Sequence, residues 1–79
     1  MVKTDIKIQE IDTCGRETGR VSRLSEIIRK NIERAIFYCG FASHNTIYLA
    51  LNDGTRYEGK TNLNYTELTL RFGKFEIGL

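Results

Sequence analysis

The sequence contains no proline and no tryptophan, and only two cysteines, one histidine and one methionine among its 79 residues. Without proline, segment breaks fall to glycine, asparagine and aspartate, and a polyproline linker is excluded. Two cysteines, Cys14 and Cys39, are too few for a disulfide-stapled scaffold. They form no C-x-x-C pair, and the lone His44 has no partner at helical spacing, which argues against a structural zinc site. No apolar run approaches the roughly 18 residues of a membrane span, so no membrane partner is expected. The first ten residues, MVKTDIKIQE, alternate charged and apolar side chains, unlike a secretory signal. The expected setting is therefore cytoplasmic, with both thiols reduced, although a single bridge between them stays open. Charge of one sign is also scarce: 12 Lys and Arg stand against 10 Asp and Glu, a net charge of +2. Such a balance permits an anionic partner without demanding one.

What is present describes a small globule. With 41% hydrophobic and 28% charged residues, the chain is too apolar for a disordered tail. Its length suits a single domain over residues 1–79 with a small core. The positive excess is local: between Arg16 and Arg34 lie six basic residues (Arg16, Arg20, Arg23, Arg29, Lys30, Arg34) and three acidic ones (Glu17, Glu26, Glu33).

Hydropathy periods divide the chain. From Val2 to Glu10 apolar and polar residues alternate, with Val2, Thr4, Ile6 and Ile8 facing one way, as in a half-buried strand. Residues 12–20 carry two glycines and read as a loop. Ser22 suits a helix N-cap. After it Leu24, Ile27, Ile28, Ile32, Ala35, Ile36 and Cys39 recur every three to four residues. That spacing predicts one amphipathic helix of about 17 residues, with Glu26 and Lys30 paired one turn apart and Gly40 as its left-handed stop. Ile47, Leu49 and Leu51 then alternate up to Asn52-Asp53-Gly54, and Thr55, Tyr57 and Gly59 alternate after it. A three-residue turn with Gly54 left-handed sets Leu49 opposite Tyr57 and leaves Tyr48, Ala50, Arg56, Glu58 and Lys60 on the other face. Gly73-Lys74 reads as a second, two-residue turn. It pairs Phe72 with Phe75, Leu70 with Ile77 and Leu68 with Leu79 on one face, and Arg71 with Glu76 on the other. The expected fold is α+β: one amphipathic helix packed on a twisted antiparallel sheet of about five strands, in the order strand, helix, four strands, with curling toward a small barrel as a variant.

Three groups of residues carry chemistry. Cys14-Gly-Arg-Glu-Thr-Gly-Arg20 has the C-x5-R spacing of the protein tyrosine phosphatase loop, placed between an expected strand and an expected helix. The resemblance implies a thiolate nucleophile with Arg20 gripping phosphate, yet Glu17 would set a carboxylate against that phosphate. A milder reading has Arg16, Arg20 and the helix start attracting an anion without catalysis. The stretch from Thr46 to Lys60, following a helix, resembles the first hairpin of Sm-like small barrels, which implies an oligomeric RNA-binding ring. Finally, Tyr48, Arg56 and Lys60 share the polar side of that hairpin, and Phe37 and Tyr38 lie near Lys30 and Arg34 at the edge of the helix stripe. Aromatic and basic residues together serve protein interfaces and single-stranded nucleic acid alike.

No Ser-His-Asp set and no glycine-rich nucleotide loop is legible. The chain is therefore expected to be non-enzymatic and free of cofactors. It reads as a binding protein, a regulator or inhibitor that docks on a larger protein assembly, with nucleic acid as the alternative partner. Arg16, Arg20, Lys30, Arg34, Phe37, Tyr38, Tyr48, Arg56 and Lys60 are the expected contact residues. Open strand edges also invite an edge-to-edge homodimer.

Overall fold

A computed structural model of the protein describes residues 5–40 and 44–78. Its elements run β1 (Lys7–Ile11), β2 (Glu17–Arg23), α1 (Leu24–Ile27), β3 (Ile32–Tyr38), β4 (Asn45–Leu51), β5 (Arg56–Thr61), α2 (Tyr65–Phe72) and β6 (Glu76–Gly78). The α+β class holds, but with two short helices and six strands in one mixed sheet ordered β2-β1-β5-β4-β3-β6. The sheet is not closed into a barrel: β2 and β6 are its two edges, and β6 runs parallel to β3 while the other neighbours are antiparallel.

The central hairpin forms as its alternation predicts. Leu49 lies opposite Tyr57, and the Leu51 amide donates to the Thr55 carbonyl at 2.8 Å. Gly54 closes the turn at φ +94, which only glycine adopts cheaply. The Asp53 side chain accepts from the Thr55 amide at 2.9 Å, and hydrogen bonds from the Thr55 backbone and then its side chain hold the Asp53 carboxyl below its ordinary value. Ile6 and Ile8 are buried beside an exposed Lys7, so the first strand keeps its expected alternation over a shorter span. Val2 and Thr4 lie outside the described residues.

The predicted long helix is replaced by a helical turn, a bend and a strand. α1 has four residues; the Lys30 amide then donates to Ile27 O at 2.9 Å, and β3 begins at Ile32. The three-to-four-residue spacing of Ile28, Ile32, Ala35 and Ile36 straddles that bend, so it does not trace one helix. Ile36-Phe37-Tyr38 is β-branched and aromatic, the composition that favours a pleated strand. Burial of Ala35, Ile36 and Phe37 in succession hides the period of two. The cap also differs. Arg23, not Ser22, occupies the N-cap and makes no side-chain bond; Asp5 does that work, accepting from the Ser25 amide at 3.3 Å and the Ser25 hydroxyl at 2.6 Å. Burial pushes the Asp5 carboxyl up, but hydrogen bonds from Ser25 and Ile6 and the nearby Arg23 charge together pull it below its ordinary value. Gly40 is not left-handed, and the Glu26–Lys30 pair is absent from the ion pairs of the described residues.

The predicted second hairpin is also overturned. Residues 65–72 form α2, started by a reciprocal capping box: Asn64 Oδ1 accepts from the Glu67 amide at 2.8 Å, and Glu67 Oε1 accepts from the Asn64 amide at 3.2 Å. Two such bonds satisfy orphan amides of the first turn and favour a helix over an extended run. Gly73, at φ +107, ends the helix, its amide donating to Thr69 O at 3.0 Å, so it is a helix stop and not a hairpin turn. Leu68 is fully buried while Leu70 and Ile77 are exposed, and Glu76 pairs with Arg34 instead of Arg71. Phe75 and the half-buried Phe72 both pack against the core. Leu79 lies outside the described residues.

The loop expected over residues 12–20 is a tight turn followed by strand. Asp12 Oδ1 accepts from the amides of Cys14 and Arg16 at 2.8 and 2.9 Å, and β2 begins at Glu17. The core lies on one face of the sheet. Ile8, Ala35, Phe37, Ile47, Leu49, Leu51 and Tyr57 meet Leu24 and Ile27 of α1, Leu68 of α2, and Phe75. Both helices therefore cover the same face, and the other face is left without a second layer.

Candidate functional site

Strand register fixes which side chains share the uncovered face. Side chains alternate along a strand and paired residues fall on the same side. The β4–β5 ladder puts Thr46 with Lys60, Tyr48 with Glu58, and Ala50 with Arg56 on the side opposite Ile47, Leu49 and Tyr57. The β3–β4 ladder adds Arg34 beside Ala50, Ile36 beside Tyr48 and Tyr38 beside Thr46. The β1 and β2 ladders extend the face through Lys7, Gln9 and Ile11 to Arg23, Val21 and Glu17.

Five of the expected contact residues thus converge here: Arg34, Tyr38, Tyr48, Arg56 and Lys60. The arrangement is specific. Ile36 is buried at 6% exposure although no helix covers this side; its register neighbours are Tyr48 on β4 and Glu76 on β6. Tyr38 lies across β6, because a Cβ on Gly78 would collide with the Tyr38 ring and sit 2.8 Å from Ile36 Cγ2. Gly78 therefore provides the bare backbone on which that ring rests. Arg34 donates from Nη2 to Glu76 Oε1 at 3.1 Å. The hydrogen bond to Glu76, then the Glu76 charge, raise the Arg34 guanidinium above its ordinary value. The pair is open to solvent, so it orients the arginine more than it stabilises the fold. With its amide nitrogen turned toward Glu17, Gln9 donates to both carboxylate oxygens at 2.8 and 2.6 Å.

The remaining expected residues go elsewhere. Phe37 is a correction: at 3% exposure it points into the core, its ring edge-on to Tyr65 with centroids 5.8 Å apart. It offers nothing to a partner. Arg16 sits exposed beside the tight turn between β1 and β2, with Cys14 at that turn. Arg20 lies on β2, and with Lys30 it lines a separate open depression on the helix side, shared with Glu10, Asp53 and Tyr57. The C-x5-R stretch is thus a hairpin turn running into an edge strand, not a loop entering a helix. Cys39, placed by its spacing in a buried stripe, is exposed just past β3, and both thiols are free. How Phe37 and Tyr38 meet residues 41–43 lies outside the described residues.

Lys7, Arg23 and Ile36 of the open face lie outside the expected contacts. Lys7 is legible in the sequence, because it alternates with Ile6 and Ile8. Arg23 is not, since β2 is exposed almost throughout and carries no apolar period. Ile36 falls within the apolar stripe of the predicted helix, which hides its place on this face. Among the described residues no cluster of His, Cys, Asp and Glu is placed to hold a metal, and no helix is long and apolar enough to cross a membrane. No protein-family model, curated protein or solved structure matches the chain.

Proposed function

We propose that this chain is a small non-enzymatic binding protein that docks on a larger protein assembly through its open sheet face, as a regulator or inhibitor that occludes part of that assembly. The observation that carries the reading is the gathering of Arg34, Tyr38, Tyr48, Arg56 and Lys60 around Ile36 on the one sheet face no helix covers. Tyrosine and arginine are the residues that anchor protein interfaces, because they combine a large apolar contact area with a polar end. A flat face bearing Ile36, Tyr38, Tyr48 and Ala50 at its centre and charges around them has the apolar-core, polar-rim layout of such interfaces.

The test is capture of a binding partner from the host with a tagged chain, repeated with Tyr48→Ala and Arg56→Glu. Loss of capture in both variants, with unchanged far-UV circular dichroism, is the expected result. Undiminished capture by both would overturn the assignment of this face. A second reading, single-stranded nucleic acid, draws on the same tyrosines and cations as stacking platform and phosphate contacts. Its test is a mobility shift with oligonucleotides at about 50 mM salt, where a phosphate binder is at its strongest. Self-pairing through the free edges is disfavoured by their form: β6 has three residues, and β2 carries a register irregularity with Gly19 at φ +93, both devices that blunt an edge.

A further inference from the structure

The open face carries its charge in rows, and one row is wholly basic. Arg23 on β2 lies opposite Lys7 on β1. The pairing of Ile8 with Gly59 sets Lys60 beside Lys7 on the next strand. Three exposed cations therefore stand on three consecutive strands, about 4.8 Å apart at the backbone. The row continues through Thr46 to Tyr38. The middle row reads Val21, Gln9, Glu58, Tyr48, Ile36, Glu76, and the third reads Glu17, Ile11, Arg56, Ala50, Arg34. Like charges side by side on a sheet repel, and among the described residues the only cation with a carboxylate in ion-pair reach is Arg34. Among the described residues no carboxylate is in ion-pair contact with the basic row, although the Asp5 charge lies near Arg23; the acids on the strand ladders of this face lie in the other two rows.

We infer that the partner docked on this face presents an acidic protein surface, and specifically a helix bearing carboxylates at i, i+4 and i+7 that lies along Arg23, Lys7 and Lys60. This rests on the reading of the open face as the docking face. The match is geometric as well as electrostatic: residues three and four apart on a helix have Cβ atoms about 5–6 Å apart, close to the strand spacing beneath the three cations. An apolar side chain on the same helix then reaches the Tyr38–Ile36–Tyr48 centre. Nucleic acid fits less well. Glu58 stands between Gln9 and Tyr48, and Glu76 beside Ile36, so a phosphodiester chain passing from the basic row onto Tyr48 meets a carboxylate at the aromatic itself. A protein surface can leave that position neutral or answer it with a lysine.

The experiment uses a synthetic alanine-based helical peptide with glutamates at i, i+4 and i+7 and a leucine beside them. A peptide of identical composition with the glutamates spread around the helix, and a uridine oligonucleotide, serve as the other probes. Each is titrated into the 15N-labelled chain at low salt. The inference expects amide shifts centred on Lys7, Arg23, Lys60 and Tyr38, with at least tenfold tighter binding of the patterned peptide than of the spread one. It expects a loss of tenfold or more in Lys7→Glu/Lys60→Glu, and little change in Arg20→Glu/Lys30→Glu, an equal charge change in the depression on the helix side. Equal affinity for the two peptides, or tighter binding of the oligonucleotide, overturns the acidic-helix inference while leaving the face in use. Shifts confined to the helix side of the sheet overturn the docking face itself.

Discussion

Leu68 and Leu70 are two residues apart, carry the same side chain and have opposite fates. On α2 Leu68 is fully buried, whereas Leu70 is 81% exposed. Truncating a buried leucine to alanine removes its transfer free energy and leaves a cavity, at a cost of about 2–5 kcal/mol. Truncating the exposed one changes stability by about 0.5 kcal/mol or less, because nothing packs on it and alanine is the better helix former. A 79-residue domain commands roughly 4–12 kcal/mol in total. Leu68→Ala therefore consumes a large share of it, and Leu70→Ala almost none. Urea denaturation followed by far-UV circular dichroism and tyrosine emission reads the difference directly; the chain has no tryptophan. With a slope of about 2 kcal/mol per molar urea, the midpoint of Leu68→Ala falls by roughly 1–2.5 M while that of Leu70→Ala stays within a few tenths. The comparison is decisive because a strand over the same residues would put both leucines on one face. Equal losses in the two variants would refute the helical assignment of 65–72 and the core built on it.

Other expectations follow from single contacts. Asn64→Ala removes the capping box of α2 and costs about 1 kcal/mol, read in the same urea titration, and an unchanged midpoint would mean the cap contributes nothing. The depressed Asp5 carboxyl contributes stability above the ordinary value of 3.8 and loses it as pH falls through the lower folded value. Asp5→Asn keeps an acceptor oxygen and removes the charge, so it should lower stability slightly at neutral pH and flatten the pH dependence below about 4; a parallel pH profile would contradict this. Gly78→Ala forces the Tyr38 ring off β6 and should cost about 1–3 kcal/mol, and markedly less in a Tyr38→Ala background. A double-mutant cycle checks this, with additivity counting against the contact. Cys14 and Cys39 are both exposed and free, so a thiol reagent should titrate two groups in the native chain without a reductant, and any lag that awaits unfolding would contradict their placement.

Where the sequence was legible, the deciding information was local. Residues 46–60 carry an unbroken period of two on both sides of a turn whose left-handed position calls for a glycine, so their pairing and faces are legible in the local pattern alone. The edge strand β2 was invisible for a physical reason: solvent bathes both of its sides, so no selection for alternating apolar residues operates there, and its glycines suggest a loop. The segment 65–72 was ambiguous because Leu68, Leu70 and Phe72 fit a period of two while Tyr65, Leu68 and Phe72 fit a helical one. The capping box at Asn64 and Glu67 is the local signal that separates the two, and it competes with an apolar alternation that tertiary packing leaves half unused.

Most of the candidate face is the same whether residues 32–38 are helix or strand, because of the arithmetic of the two periods. A spacing of four places two residues on one side of a helix, where they are a turn apart, and also on one side of a strand, where four is even. Arg34 and Tyr38 stay together in either conformation, so grouping them required no knowledge of which one the chain adopts. Phe37, at an odd distance from Arg34, keeps their company only in a helix; the strand sends it through the sheet to Tyr65 and the core. Ile36 behaves in the reverse sense, buried with the apolar stripe if helical and brought onto the open face by the strand, between Tyr48 and Glu76. The exchange of Phe37 for Ile36 is thus the whole effect of the change of period on this segment. It turns a loose aromatic edge into an apolar-centred surface, with Ile36 and the two tyrosines bordered by arginine, lysine and glutamate.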